Sequence, residues 1–400
     1  MKNRDIIITG LQAWDVDIGS NCKNLAEEFS RSNRVLYVNP PLDRNTLMKE
    51  KHRPEIQRRI KILKGEEPQL YKVAENLWNY FPNSVLESIT RIPVPAIFDF
   101  MNKRNNKKYA AQILKAAEEL KFSDYILFND NDIFRSFYLK DYLKPNTSVY
   151  YSRDYLVAVD YWKKHGTRLE PLLISKSDCT VANSNYLADY ARSYNPNSFF
   201  VGQGCDFTLF DSNRTFSIPE DMSSINGPIV GYVGALASLR LDVELLENIA
   251  GALNEISFVF VGPEDEKFKQ SKLHELKNVY FLGRKDMAEL PNYVSKFDVC
   301  LNPQIVNEVT IGNYPRKIDE YLALGKKVVA TKTSAMDIFE PYTYLAENTA
   351  DYIRLIKNAL AENSPELVTK RIMFARNHTW ENNANMIYDA ISKVEKAKSK

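Results

Sequence analysis

"IGNYPRKIDEYLALGKKVVAT", residues 311–331, reads as a loop, a helix and a buried strand. Pro315 suits the first helical position, where its missing N–H costs nothing and its φ is already helical. Arg316 and Lys317 then place two cations in the first turn. That end of a helix already carries about half a positive elementary charge, so cations are disfavoured there. Glu320 follows on the same face, four residues after Arg316 and three after Lys317, in the weaker order for an intrahelical pair. Two cations at the wrong helix end make sense if loop, helix end and side chains together hold an anion.

The alternation of strand and helix extends in both directions. "DIIITG" (5–10), "RVLYVNP" (34–40), "YILFND" (125–130), "SVYYS" (148–152), "CTVANS" (179–184) and "SFFVGQG" (198–204) form one series of apolar runs. "PIVGYVG" (228–234), "SFVFVGP" (257–263), "VYFLG" (279–283), "DVCLNP" (298–303) and "KVVAT" (327–331) form a second. Near-continuous Val/Ile/Phe runs are the pattern of strands buried on both faces. Between two of them, Leu246, Ile249, Ala250 and Leu253 make a helical stripe. The reading is α/β, two Rossmann-like domains with parallel sheets facing a central cleft. Polar, Pro/Gly-broken residues 210–228 read as the linker. The domains are expected at 1–212 and 225–379, with a polar helix over 380–400 closing the chain.

Composition narrows the function. The 400 residues are 44% hydrophobic and 26% charged, with net charge +2, which suits a globular chain of about two domains and gives no global field for nucleic acid. Cys22, Cys179, Cys205 and Cys300 are dispersed without CxxC and read as reduced thiols of a cytoplasmic protein. The first residues do not read as a signal peptide, and no stretch approaches the ~20 apolar residues of a membrane span. There is no GxGxxG after the first strand of either series, no P-loop at Gly325-Lys326, no GxSxG elbow and no metal-ligand spacing among the four histidines. His165 reads as solvated, and His378 with Trp380 as packing near a hinge.

The positive signals lie in the second series. "GYVGALASLRLD" (231–242) is a strand, a turn at Gly234 and a helix start close to Arg240; "TIGNYPRK" (310–317) is a second loop entering a second helix. Both leave the same sheet edge. Arg240, Arg316, Lys317 and loop N–H groups suit a diphosphate, and Glu320 suits a ribose diol. That set describes a nucleotide diphosphate held without metal.

The chain resembles the retaining glycosyltransferases of the group-1 class with the GT-B fold, family four-like, in the bacterial branch that builds capsular, teichuronic and exopolysaccharides. The resemblance runs through "SNCKNLAEEFSRSNRVLYVNPP", "EPLLISKSDCTVANSNYLADYA", "VGQGCDFTLF", "GYVGAL", "FVFVGP", "VYFLGRKDMAELPNYVSKFDVCLNP", "PRKIDEYLALGKKVVAT" and "NHTWENNANMIYDAI", in family order. It implies that Glu320 is the second glutamate of the E-x7-E signature; the first would fall on Gly312. Contacts to the donor there pass to Thr310, Ile311, Gly312 and Asn313. Arg240 stands for the phosphate-binding lysine, and Ala235 replaces its partner arginine, which Arg316 or Lys317 would supply. Arg153-Asp154 occupies the place of a His-Asp pair, Gly19 that of the N-terminal glycine loop, and Gly283-Arg284 that of the main chain against the base. The resemblance further implies that the closing helix packs back on the first domain.

The implied reaction is transfer of a sugar from a UDP- or GDP-sugar to an acceptor hydroxyl with retained configuration, by a metal-independent, hexosyltransferase-type enzyme of surface polysaccharide synthesis. Alternatives are a GT-B-fold nucleotide-sugar epimerase and a non-catalytic nucleotide-binding subunit of a polysaccharide-assembly complex. Each residue also has a plainer reading: Arg316 and Lys317 as solvated charges, Glu320 as a surface partner of Arg316, Arg240 as a helix-start residue, Arg153-Asp154 as a structural ion pair, Gly19 as a turn. The basic segment 48–64, with Ile56, Ile60 and Leu63 at helical spacing, reads as a solvated amphipathic helix or as a contact to anionic membrane, where a lipid-linked acceptor would reside. Residues 98–115 repeat the theme.

Overall fold

The structure, a computed structural model, describes residues 1–15 and 20–398. The chain divides into two compact units, residues 1–202 with the closing helix from Trp380, and residues 203–379.

In the first unit the strands are β1 (Asp5–Gly10), β2 (Arg34–Val38), β3 (Leu70–Ala74), β4 (Leu77–Tyr80), β5 (Ile126–Asp130), β6 (Thr147–Ser152), β7 (Cys179–Ala182) and β8 (Ser198–Phe200). They lie in the order β3-β4-β2-β1-β5-β6-β7-β8. Neighbours are parallel except β3 against β4. Alternate residues serve opposite layers, as the period of two requires. Ile6, Ile8, Val35 and Phe128 meet helix Asn21–Ser30 and the closing helix Trp380–Lys398. Ile7, Leu36 and Leu127 meet Tyr109, Ala110 and Ile113 of helix Pro95–Glu119. The sequence reading contains neither β3 nor β4. For β3 the cause is exposure: it is the sheet edge and its last three residues face solvent, so no apolar run marks it; β4 is buried but only four residues long, with Asn79 inside it.

In the second unit the strands are β9 (Ile229–Val233), β10 (Ser257–Val261), β11 (Val279–Phe281), β12 (Val299–Asn302), β13 (Lys327–Thr331) and β14 (Tyr344–Ala346), ordered β11-β10-β9-β12-β13-β14. All pairs are parallel. Helix Val243–Ala252 buries Leu246, Ile249 and Ala250 fully, and the Asp242 carboxylate caps it by accepting from Leu245 N at 3.0 Å. On the opposite layer Ile318, Tyr321 and Leu322 press the helix Arg316–Ala323 against Val233, Val261 and Val328. This packing sets the height of Arg316 and Lys317 above the sheet edge.

The two units divide at Gly202, ahead of the stretch 210–228 read as the linker. Phe210, Met222 and Ile225 explain this: they are buried in the core of the second unit. Their spacing among polar residues hides them from a compositional reading.

Candidate functional site

The carboxyl edge of the second sheet is built around two glycines. β9 runs into Gly234, whose φ is +138°, and β10 into Gly262, whose φ is +153°. A Cβ on Gly262 would lie 1.9 Å from the Gly234 carbonyl oxygen, and a Cβ on Gly234 would lie 2.2 Å from Lys317 Cε and 2.8 Å from Nζ. Only glycine permits both the dihedral and the approach. The Lys317 ammonium therefore lies directly over the turn after β9, 5.5 Å from the centre of the Tyr232 ring. It has no carboxylate partner among the described residues.

The helix carrying Lys317 begins at Arg316, so Pro315 is its cap rather than its first residue; among the described residues no side chain caps it, and Arg316 N and Ile318 N donate to the Tyr314 and Pro315 carbonyls at 3.1 and 2.9 Å. Arg316 Nε donates to Glu320 Oε1 at 3.1 Å. Burial works to lower the Arg316 pKa, and Glu320, with Cys205 and Asp206 nearby, reverses this and raises it. The far side of the helix is pinned by a group that the sequence reading missed. Asp319, fully buried, receives a hydrogen bond from the Tyr314 hydroxyl at 2.7 Å and lies 2.6 Å from His378 Nδ1. Burial pushes its carboxyl pKa up, against the pull of His378 and Tyr314. Its one sequence signal is position: an acid inside the apolar stripe Ile318, Tyr321, Leu322.

The loop entering this helix is folded on itself. Asn307 Oδ1 accepts from Val309 N and Thr310 N at 2.9 and 3.0 Å, and Gln304 Nε2 donates to the Thr310 carbonyl at 2.8 Å. Thr310, Gly312 and Asn313 are buried and Ile311 is half-buried. The loop is joined to the turn after β9, since Ile305 N donates to Arg240 O at 2.9 Å and Asp242 N to Pro303 O at 3.0 Å. Arg240 precedes the helix cap and its side chain is exposed. Gly283, with φ of +69°, and Arg284 are exposed at the end of β11, separated from β9 by β10. The structure thus gathers Gly234, Lys317, Arg316 and Glu320, links Arg240 to the 310–313 loop by main chain, and leaves Gly283-Arg284 further along the same edge.

Arg153 and Asp154 belong to the first unit, at the end of β6. Arg153 Nε donates to Asp130 Oδ1 at 2.8 Å and Nη1 to Asp154 Oδ2 at 2.6 Å. Asp130, at the end of β5, is fully buried. Burial works to lower the Arg153 pKa, and the two carboxylates more than reverse it. Gly19 lies outside the described residues.

Other candidate groups are structural. Lys326 is half-buried, donates to the Ser295 and Phe297 carbonyls at 2.7 and 2.9 Å, and has its pKa lowered by desolvation. His165 is not solvated as expected: it is 3% exposed, stacks on Phe98 with ring centres 3.8 Å apart and lies 2.8 Å from the Ile92 carbonyl. The four cysteines are free and buried, and burial pushes Cys179 and Cys300 up to about 12. The segment 48–64 carries the amphipathic helix Pro54–Leu63 expected from its spacing, with the apolar side turned into the first unit. Ile56 is buried, and Arg53, Arg58, Arg59, Lys61 and Lys64 each face a carboxylate.

Residues 227–362 match the sequence profile of the family described as Glycosyl transferases group 1. TuaH of Bacillus subtilis (strain 168), named for teichuronic acid biosynthesis as a glycosyltransferase, is 25% identical over 221 residues. That alignment covers 52% of this chain and 55% of the relative, so the chain matches about half of its length. Among solved structures, an α,α-trehalose-phosphate synthase (UDP-forming) from Burkholderia vietnamiensis superposes with TM-score 0.70 at 11% identity, over 99% of this chain and 100% of the other. Anabaena Alr3699/HepE in complex with UDP gives TM-score 0.65 at 14% identity, over 98% and 100%. At such identities these structures establish the fold, which is GT-B.

Proposed function

We propose, for a GT-B chain whose residues 227–362 match the group 1 glycosyl transferases, that it transfers a sugar from a nucleoside-diphosphate sugar to an acceptor hydroxyl with retention, in the assembly of a bacterial surface polysaccharide on the cytoplasmic side of the membrane. One observation carries this reading: an ammonium without a carboxylate partner among the described residues, Lys317, held over a strand-end glycine beside a helix start that no described side chain caps. Such a place suits the β-phosphate of the donor. There Lys317 and loop N–H groups would stabilise the charge that builds on the leaving diphosphate, a role whose loss costs ~10²–10³ in rate. Glu320, held by Arg316, would take the ribose diol, and Arg240 a second phosphate oxygen. Arg153 and Asp154 keep the donor-sugar role implied by the resemblance. The UDP complex of the Anabaena structure favours UDP over GDP. The acceptor is a sugar or lipid-linked oligosaccharide.

The test is thermal shift with UDP, GDP, ADP, CMP and dTDP on wild type and Glu320→Ala. A ligand at 100 times its Kd stabilises by ~2.7 kcal/mol, so UDP alone should raise the melting temperature and lose most of the effect in the variant. No shift with any nucleotide would overturn the donor site. Gly312 and Ala235, where the family carries charged residues, favour a second reading as a nucleotide-binding subunit without turnover; UDP binding with no release of UDP from any UDP-sugar in the presence of cell-derived acceptor lipids would decide for it.

A further inference from the structure

Helix Pro95–Glu119 turns one face inward through Phe98, Asn102, Asn106, Tyr109 and Ile113. The opposite stripe is exposed and changes character along its length. It begins apolar, with Val94, Ile97 and Phe100 at 46, 53 and 61% exposure. It continues basic, with Lys103, Arg104 and Lys107, all exposed. None of these three cations has a carboxylate partner among the described residues, and Arg104 lies 5.9 Å from the centre of the Phe100 ring. Pro93 and Pro95 stiffen the entry to this turn.

The neighbouring helix Asp160–Lys176 extends the face. Arg168 Nη2 meets Asp99 Oδ1 at 2.6 Å, and Phe98 stacks on His165, so the two helices lie side by side. Tyr161, 57% exposed, and Lys164 stand on the outer side of that second helix. Both, with Arg91, line a cavity of about 710 Å³ whose other walls include Asp132, Arg135 and Trp162. Three large apolar side chains exposed within two turns, followed at once by cations without a carboxylate partner, are an amphipathic surface with no partner among the described residues.

We propose that this face, the first half of helix Pro95–Glu119 with the outer side of helix Asp160–Lys176, seats the first unit on an anionic phospholipid bilayer. Val94, Ile97 and Phe100 enter the interfacial layer, and Lys103, Arg104 and Lys107 meet lipid phosphates. Charge decides between this face and segment 48–64, where five of the cations are already answered by acids and Ile56 and Ile62 are spent on the core. Seated this way, the cavity opens beside the lipid headgroups, where a lipid-linked acceptor presents its sugar. That last step rests on the transferase reading; the docking itself does not.

The experiment is co-sedimentation of the full chain with vesicles of phosphatidylglycerol and phosphatidylcholine in equal parts, and with phosphatidylcholine alone. Wild type should bind the anionic vesicles, more weakly as salt rises, and should leave the neutral ones. Lys103→Ala/Arg104→Ala/Lys107→Ala should weaken binding about a hundredfold, at about fivefold per basic residue. Ile97→Asp/Phe100→Asp should abolish it. Arg53→Ala/Lys61→Ala/Lys64→Ala should bind as wild type. The UDP-induced thermal shift, read on every variant, confirms folding and separates this proposal from the donor site. Absence of wild-type binding to anionic vesicles would overturn it, as would equal binding to neutral ones. A loss in the 53/61/64 variant matching that in the 103/104/107 variant would overturn it too. Should the apolar variant fail to fold, the purely superficial charge variant still decides.

Discussion

The two sheets end differently. At the carboxyl edge of the first, Arg153 is clamped between Asp130 and Asp154, and every charge of the cluster has its opposite within hydrogen-bond distance. At the carboxyl edge of the second, Arg316 is answered by Glu320, while Lys317, Arg240 and Arg284 have no carboxylate partner among the described residues. One edge is internally satisfied and the other is left positive. Satisfied charges hold a fold; unsatisfied ones, kept near glycines that let backbone come close, suit an anion from outside. The comparison assigns the larger share of stability to the first edge and the donor diphosphate to the second.

The largest effect should come from breaking the satisfied edge. Arg153→Met leaves Asp130 fully buried without its counter-charge, which costs about 3–5 kcal/mol. Urea unfolding should show that loss, while UDP binding in the folded fraction persists. If stability holds and only turnover collapses, Arg153 serves the donor sugar alone and the contrast between the edges fails. Next comes Lys317→Ala. Having no carboxylate partner, it should change stability by less than about 0.5 kcal/mol, while turnover falls ~10²–10³-fold, equivalent to about 2.7–4 kcal/mol of transition-state stabilisation. Equal losses in both quantities would show Lys317 to be structural.

The sequence displays some of this and hides the rest. Strands such as Ile6–Ile8 and Val328–Ala330 are legible because burial on both faces demands unbroken apolar residues. β3 and β14 are not, one being an exposed edge and the other three residues long. Arg316 and Glu320 are legible as a pair because helical spacing alone brings them together. The approach of Lys317 to Gly234 is not, since it depends on how the helix Arg316–Ala323 packs over β9. Nor is the bond of Asp319 to His378, which joins residues remote in the chain. Local geometry is written in sequence; contacts made by tertiary packing are not.

A third effect tests the first unit through its buried acid. Glu170 is 1% exposed, with the Tyr150 hydroxyl at 2.7 Å and that of Tyr190 at 3.5 Å. Burial raises its pKa from 4.5 to about 7, against the two tyrosine donors. The folded protein therefore holds this proton more tightly than the unfolded one. The resulting stability is full below about pH 4.5 and is lost as pH rises through 7, amounting to about 3 kcal/mol. Glu170→Gln should flatten the pH dependence of unfolding between pH 5 and 8 and leave the second unit's UDP affinity unchanged. A slope that survives the substitution would place the titration elsewhere.

The smallest effect separates the two cations of the helix start. An intrahelical pair at this spacing contributes about 0.3–0.5 kcal/mol, so Arg316→Gln should cost no more than that in stability. If Arg316 serves to orient Glu320, UDP affinity should fall only a few-fold, and the fall should vanish in a Glu320→Gln background, where nothing remains to orient. A fall of tenfold or more that persists in that background would put the guanidinium on the diphosphate itself. The two cations would then share one role. Otherwise the helix carries one cation for its own carboxylate and one for the ligand, and Pro315-Arg316-Lys317 is explained without a second phosphate contact.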